Sequence, residues 1–233
     1  RTPTYTPTRT STPTKTVTVI TFIHNPSHVV IASALIGSSV HDKAVVTGSA
    51  GVPTGIVIFN LYKNQACTGA PASSVAVVLT GGSAESPPTI VPSSGLSYWV
   101  HYNGNAVYPA KDGVCEPLKP VKLTPKVTTR IHNATHAVIT SAPIGSSVHD
   151  KAIVTGSGPV PTGTVTFKRF NIPNCSGNSV ASIVSLGGGS AESPATTVPN
   201  TGLSYLVQYN GDANYLPAKG TCTAWKPASW RNC

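Results

Sequence analysis

The sequence contains no Met and little charge. Only 10 % of its residues are Asp, Glu, Lys or Arg, against about 25 % in an average soluble domain. Acidic residues are the scarcest, 7 in 233. That scarcity excludes a calcium-binding loop, which gathers several carboxylates, and Asp212 stands alone in its turn. Glu85 and Glu192 recur as one equivalent carboxylate per copy, so a hydrolytic pair made of these two would have to straddle the domains. There is no Gly-x-Ser-x-Gly elbow, so a serine-hydrolase reading has no nucleophile. No enzyme and no cofactor are expected. The longest apolar runs fall short of the roughly 18 residues a membrane-crossing helix needs. Opening at Arg1 without Met or a signal-peptide pattern, the chain reads as a mature or processed segment.

What the sequence has instead is 21 Gly, 21 Pro and abundant Val, Thr and Ser. Short β-branched runs punctuated by turn formers predict an all-β protein. The segment from Ile23-His24-Asn25 to Cys67 returns from Ile131-His132-Asn133 to Cys175, 108 residues later. The block from Ser83 to Cys115 returns from Ser190 to Cys222 at an offset of 107. A period of that length is too long for a solenoid unit and suits one small domain. The expected organisation is an arm at 1–16, one domain at 17–122 and a second at 123–233.

Within the first copy the expected strands are Val17 to Ile23, His28 to Ala34, Val40 to Thr47, Ile56 to Tyr62, Val75 to Thr80, Thr89 to Val91, Leu96 to Tyr102 and Val114 to Val121. Short strands with turn signals every 8–12 residues or so predict an immunoglobulin-like sandwich. The segments PTGTVTF (Pro161 to Phe167), YNGDANY (Tyr209 to Tyr215) and VHDKA (Val148 to Ala152) resemble the bacterial Ig-like domain repeats. The resemblance implies tandem domains in secreted or surface proteins, with structural or adhesive work and no chemistry. Copy one departs from the pattern at Asn105, where copy two has Asp212.

Each copy carries two cysteines at matching places, which implies one disulfide inside each domain: Cys67–Cys115 and Cys175–Cys222. No CxxC pair is present to suggest a zinc site. Persistent disulfides place the protein outside a reducing cytosol, in the extracellular space or on a cell surface. Cys233 is left over, and the sequence leaves open a free thiol or an intermolecular link.

Thr occupies every even position from Thr2 to Thr18, with Pro3, Pro7 and Pro13 between. Pro at this density forbids a helix and favours an extended, polyproline-like arm. Strict alternation places the Thr on one face of such an arm. Sixteen residues at about 3.1 Å each reach about 50 Å. One reading is a mucin-like linker with Thr2, Thr4, Thr6 and Thr8 as candidate O-glycosylation sites; the reading adopted is an arm that lies along a neighbouring molecule. Asn133 and Asn174 begin N-x-Ser/Thr sequons, whereas Pro26 blocks the one at Asn25.

His24 and His28 recur as His132 and His136, and His41-Asp42 recurs as His149-Asp150. Imidazole and carboxylate suit zinc or nickel, but His-x3-His gives one-face geometry on a helix, and Pro26 and the β setting disfavour a helix here. No metal is therefore expected, and Asp42 and Asp150 are read as bonding to backbone at a strand start. The 16 basic residues give a formal charge of +9, but they are dispersed and lack an aromatic stacking platform. Nucleic acid is excluded on that ground, and contact with anionic glycans or cell surfaces is favoured.

The two copies differ on one face. With Val57, Phe59 and Leu61 inward, Ile56 and Ile58 point out where copy two has Thr164 and Thr166. With Leu96, Tyr98, Val100 and Tyr102 inward, the outward set is Ser97, Trp99 and His101, against Ser204, Leu206 and Gln208. Ile56, Ile58 and Trp99 together form a candidate interface. The functional expectation is a non-catalytic extracellular structural protein, the subunit of a filament assembled through its arm. The alternative is an adhesin or stalk module that binds glycan or protein at a cell surface.

Overall fold

The computed structural model describes residues 15–225, so Thr2, Thr4, Thr6, Thr8 and Cys233 lie outside the described residues, as does all of the arm but its last two positions. The chain divides into two compact units, one ending at Pro120 and the other beginning at Val121. Leu118 is fully buried in the first core and Leu123 is buried in the second, which confines the joint to the residues between them. Among the described residues no helix is long and apolar enough to cross a membrane.

The first unit holds β1 (Val17–His24), β2 (Ser33–Leu35), β3 (Ser39–Gly48), β4 (Ile56–Tyr62), β5 (Ser73–Val78), β6 (Ser83–Glu85), β7 (Thr89–Ile90), β8 (Leu96–Tyr102), β9 (Lys111–Asp112) and all but the last residue of β10 (Glu116–Val121). One sheet runs β1-β3-β6 with β7 also on β3; the other runs β2-β10-β8-β4-β5 with β9 on β8. The second unit holds β11 (Lys126–Asn133), β12 (Ser147–Thr155), β13 (Thr164–Phe170), β14 (Ser179–Ser185), β15 (Ser190–Glu192), β16 (Thr196–Thr197), β17 (Leu203–Tyr209), β18 (Ala218–Lys219) and β19 (Thr223–Trp225). Its sheets are β11-β12-β15 and β14-β13-β17-β18, with β16 on β12 and β19 on β17. Both units are antiparallel Ig-like sandwiches.

Period-two alternation makes these sheets. Val57 and Phe59 from β4 meet Leu96, Tyr98, Val100 and Tyr102 from β8 in the first core, with Ile23, Val40 and Val46 from the facing sheet. The expected strand from His28 to Ala34 is a turn followed by short β2, because Asn25 closes the chain on itself there. β6 and β9 were not expected; strands of two or three residues carry no readable alternation. Asp42 and Asp150 do not sit at a strand start. They lie fully buried within β3 and β12. Burial pushes Asp42 up to about 8, with Glu116 adding to it, and pushes Asp150 up to about 6 against a hydrogen bond from the Thr129 hydroxyl.

The Asn105/Asp212 difference is a difference in how a loop is locked. Asp212 accepts N–H bonds from Asn214 and Tyr215 on Oδ1, both 2.8 Å, and bonds from the Thr162 N–H and hydroxyl on Oδ2, both 2.9 Å. Burial acts to raise its pKa, but these four donors outweigh it and hold the carboxyl down at about 2. Asn105 accepts from Val107 and Tyr108 in the same way, yet its amide donates to the Thr54 carbonyl. A carboxyl depressed from 3.8 to about 2 stabilises the fold fully above the unfolded value and loses that contribution as the pH falls through 2. Acidifying from pH 5 to 2 is therefore expected to remove on the order of 1–2 kcal/mol from the second unit, after allowance for solvent screening. Asp212→Asn should fold, as Asn105 does, and lack this share of the acid dependence. Urea unfolding at both pH values checks it; an unchanged acid loss in the variant would remove Asp212 as the source.

Candidate functional site

Both predicted disulfide pairs form, Cys67 with Cys115 and Cys175 with Cys222. Cys67 and Cys175 take left-handed backbone, φ 49° and 52°, at the crest of a loop after β4 or β13. Each crest is pinned by a serine from the neighbouring strand. Ser97 Oγ accepts the Cys67 N–H at 3.0 Å and donates to the Asn64 carbonyl at 2.8 Å. Ser204 Oγ accepts from Cys175 at 2.8 Å and donates to the Ile172 carbonyl at 2.6 Å. Ser97 and Ser204 were expected on the outward face; both are fully buried because the disulfide loop folds over them. Asn174, at the base of this loop, and Asn133, the last residue of β11, each start a local turn. In it the side-chain oxygen accepts from the residue two positions on.

The candidate interface lies on the outer face of the β5-β4-β8 layer. Ile56 pairs with Val78, Ile58 with Ala76 and His101, and Asn60 with Trp99. Trp99 thus sits diagonal to Ile58, with its ring 6.2 Å from that of His101. Val78 is 65 % exposed and Ile56 38 %, while Ile58 and Trp99 are half-buried. Val78 extends the apolar surface beyond the three residues named from sequence. On the second unit the equivalent surface is bridged by polar groups: Asn210 Nδ2 donates to Thr164 Oγ1 at 2.8 Å and to Thr166 Oγ1 at 3.1 Å. Ile183, 69 % exposed, interrupts that polar surface opposite Thr166. It escaped sequence analysis because its partner depends on the β13–β14 register.

A second constellation was not assembled from the sequence. Strand pairing sets His24 opposite His41 on β1 and β3, with their rings stacked at 5.6 Å. His28 returns over them from the following turn, in left-handed backbone at φ 57°, its N–H donating to the Asn25 carbonyl. Pairing of β6 with β3 then brings in Glu85. Its carboxylate lies 3.6 Å from His28 Nδ1, 3.8 Å from His41 Nε2 and 3.4 Å from Lys43 Nζ. The second unit repeats the arrangement with Glu192 at 3.3 Å from His136 Nδ1, 3.6 Å from His149 Nε2 and 3.2 Å from Lys151 Nζ. Burial lowers the pKa of His41 and His149, with the nearby glutamate opposing. Cross-strand register, and not spacing along one element, converges the groups.

No protein-family model matches the chain, and no curated protein matches it. Among solved structures it is similar to a chimeric titin Z1Z2-Z1Z2 tandem carrying a fibronectin-derived GRGDS peptide. That likeness is 17 % identical, with a TM-score of 0.30 over 84 % of this chain and 94 % of that one. It is also similar to E. coli alpha-2-macroglobulin, at 11 % identity and a TM-score of 0.32 over 94 % of this chain and 16 % of that one. Scores this low leave the sandwich assignment resting on the strand order itself.

Proposed function

We propose that this chain is a non-catalytic, extracellular structural protein of a prokaryotic surface. In this reading its tandem domains are of the bacterial Ig-like repeat kind, and it polymerises when the Thr/Pro arm of one molecule lies on the first unit of the next. The observation that carries the reading is the asymmetry between the outer faces. Ile56, Ile58, Val78 and Trp99 make an apolar surface where the second unit presents the Thr164–Asn210–Thr166 network, interrupted by Ile183, the exposed large side chain opposite Thr166. Unlike faces favour heterologous contacts, which propagate into open fibres when the rotation does not close. The occupant is the arm, argued from its sequence: extended, about 50 Å in reach, and with too few apolar residues to form a core. Disulfides within both units support the extracellular assignment.

Trp99→Arg in the full chain should weaken association by at least about tenfold, since a half-buried aromatic anchor is lost from the contact. Monomer unfolding should shift little. Deleting residues 1–16 should leave two folded units that form no filaments. Sedimentation and electron micrographs of both variants check the outcome. Filaments unchanged by the deletion reduce the arm to a linker. Association unchanged in Trp99→Arg removes this face from the contact. The second reading, an adhesin, is favoured by the +9 charge; saturable binding of an anionic glycan, with no filaments from the full chain, would select it.

A further inference from the structure

Six of the chain's seven histidines stand in the two His/Glu clusters, three to each unit. Nothing in the assembly reading uses them. In each cluster the nitrogen of two imidazoles and a carboxylate oxygen lie within 4.8 Å of one another. The imidazole-to-carboxylate distances, 3.3–3.8 Å, are longer than hydrogen bonds. His149 Nε2 is buried without a hydrogen-bond partner, on a side chain only 8 % exposed, and it faces Glu192. His41 Nε2 is buried without a partner in the same way. An unpartnered buried nitrogen is costly, and both units keep one at the same place.

These distances match a different geometry. Zinc bonds of about 2.0–2.1 Å to nitrogen and about 2.0–2.2 Å to oxygen set neighbouring tetrahedral ligand atoms about 3.3–3.5 Å apart. The second unit's separations of 3.3 and 3.6 Å fall on that edge or within about 0.1 Å of it. Lys151 stands on Glu192 Oε1, which leaves Oε2 to face both imidazoles. In the first unit the separations are 3.6 and 3.8 Å, and Lys43 and His28 share one oxygen. His132 stacks on His149, and its Nδ1 is hydrogen-bonded to the Arg130 carbonyl at 2.9 Å, which holds the ring pair in place. His136 reaches over from a left-handed turn, φ 59°, fixed by Asn133. The concavity before Glu192 is open, lined by Ala134, Ser147 and Ala195 as well as the cluster.

We propose that each unit binds one divalent transition-metal ion of zinc chemistry. His136, His149 and Glu192 are the ligands in the second unit, and His28, His41 and Glu85 in the first, with water completing each shell. Two imidazoles select such an ion over calcium or magnesium, which prefer all-oxygen shells. The bound ion ties the turn after β1 or β11 to the sheet behind it. The second unit is the tighter site.

Calorimetric titration of the full chain, made without a polyhistidine tag, with zinc chloride tests this directly. Two zinc ions per chain are expected, with no comparable heat from calcium chloride. His136→Asn should leave one ion, and His28→Asn with His136→Asn none, each lost site weakening at least about a hundredfold. Asn accepts left-handed backbone, so both variants should fold, and circular dichroism checks that they do. Glu192→Gln should weaken the second site by about tenfold or more. Zinc absorption spectra should show only nitrogen and oxygen neighbours. Absence of saturable binding, a stoichiometry indifferent to these substitutions, or sulfur in the zinc shell would overturn the proposal.

Discussion

Replacing Cys175 and Cys222 together by Ser is expected to cost the second unit about 4 kcal/mol. The bridge spans 47 residues, and removing a closure of that length restores about that much entropy to the unfolded chain. A domain of this size is stable by about 5–15 kcal/mol in all, so the unit is left close to unfolding at 37 °C. The folded side loses as well. Without the bridge, nothing covalent holds the left-handed Cys175 crest over buried Ser204. Calorimetry should resolve two transitions, with only the second unit's moving down. The matching change at Cys67 and Cys115, 48 residues apart, should move only the first. A second-unit transition that stays in place would mean that loop closure contributes little here.

Gly156→Ala is expected to cost about 3 kcal/mol or more, although no charge or hydrogen-bonding group is altered. A Cβ at Gly156 would stand 2.2 Å from the Tyr215 ring, and one at Gly48 would stand 2.3 Å from Tyr108. Neither tyrosine has room to retreat. Tyr215 is fully buried; its hydroxyl donates to the Pro159 carbonyl at 2.7 Å and accepts the Gly158 N–H at 2.8 Å. A methyl group must expel the ring, break that bracket and open the core beside β12. Gly187→Ala is the control, because a Cβ there meets nothing within 4 Å. Denaturant unfolding of the two variants gives the comparison; a cost below about 1 kcal/mol for Gly156→Ala would show that the ring yields.

The tyrosine bracket illustrates what a sequence pattern conveys and what it leaves out. YNGDANY marks a turn, and Asp212 in it reads as a turn residue. Nothing local says that Tyr215 lies against Gly156, 59 positions earlier. The same holds at the apolar face. Alternation named Ile56, Ile58 and Trp99, and β4–β8 pairing sets Trp99 diagonal to Ile58. Val78 joins them through the β4–β5 register, and Ile183 enters the second unit's face through the β13–β14 register, neither of which alternation fixes. Ser97 and Ser204 were placed outward by alternation and are buried, since a covering loop overrides the phase of a strand.

β-Strands in repeated blocks, and the core positions Val57, Phe59, Leu96, Tyr98, Val100 and Tyr102 of β4 and β8, are legible without the fold. Those properties follow from spacing along the backbone, where side chains alternate and one block copies another. Tertiary structure alone decided that Glu85 meets His28 and His41, and that Glu192 meets His136 and His149. In each unit the glutamate lies more than forty residues from the nearer histidine, and only the β3–β6 and β12–β15 registers bring them together. A one-residue slip in either register would turn the carboxylate to the other face of the sheet and dissolve the cluster.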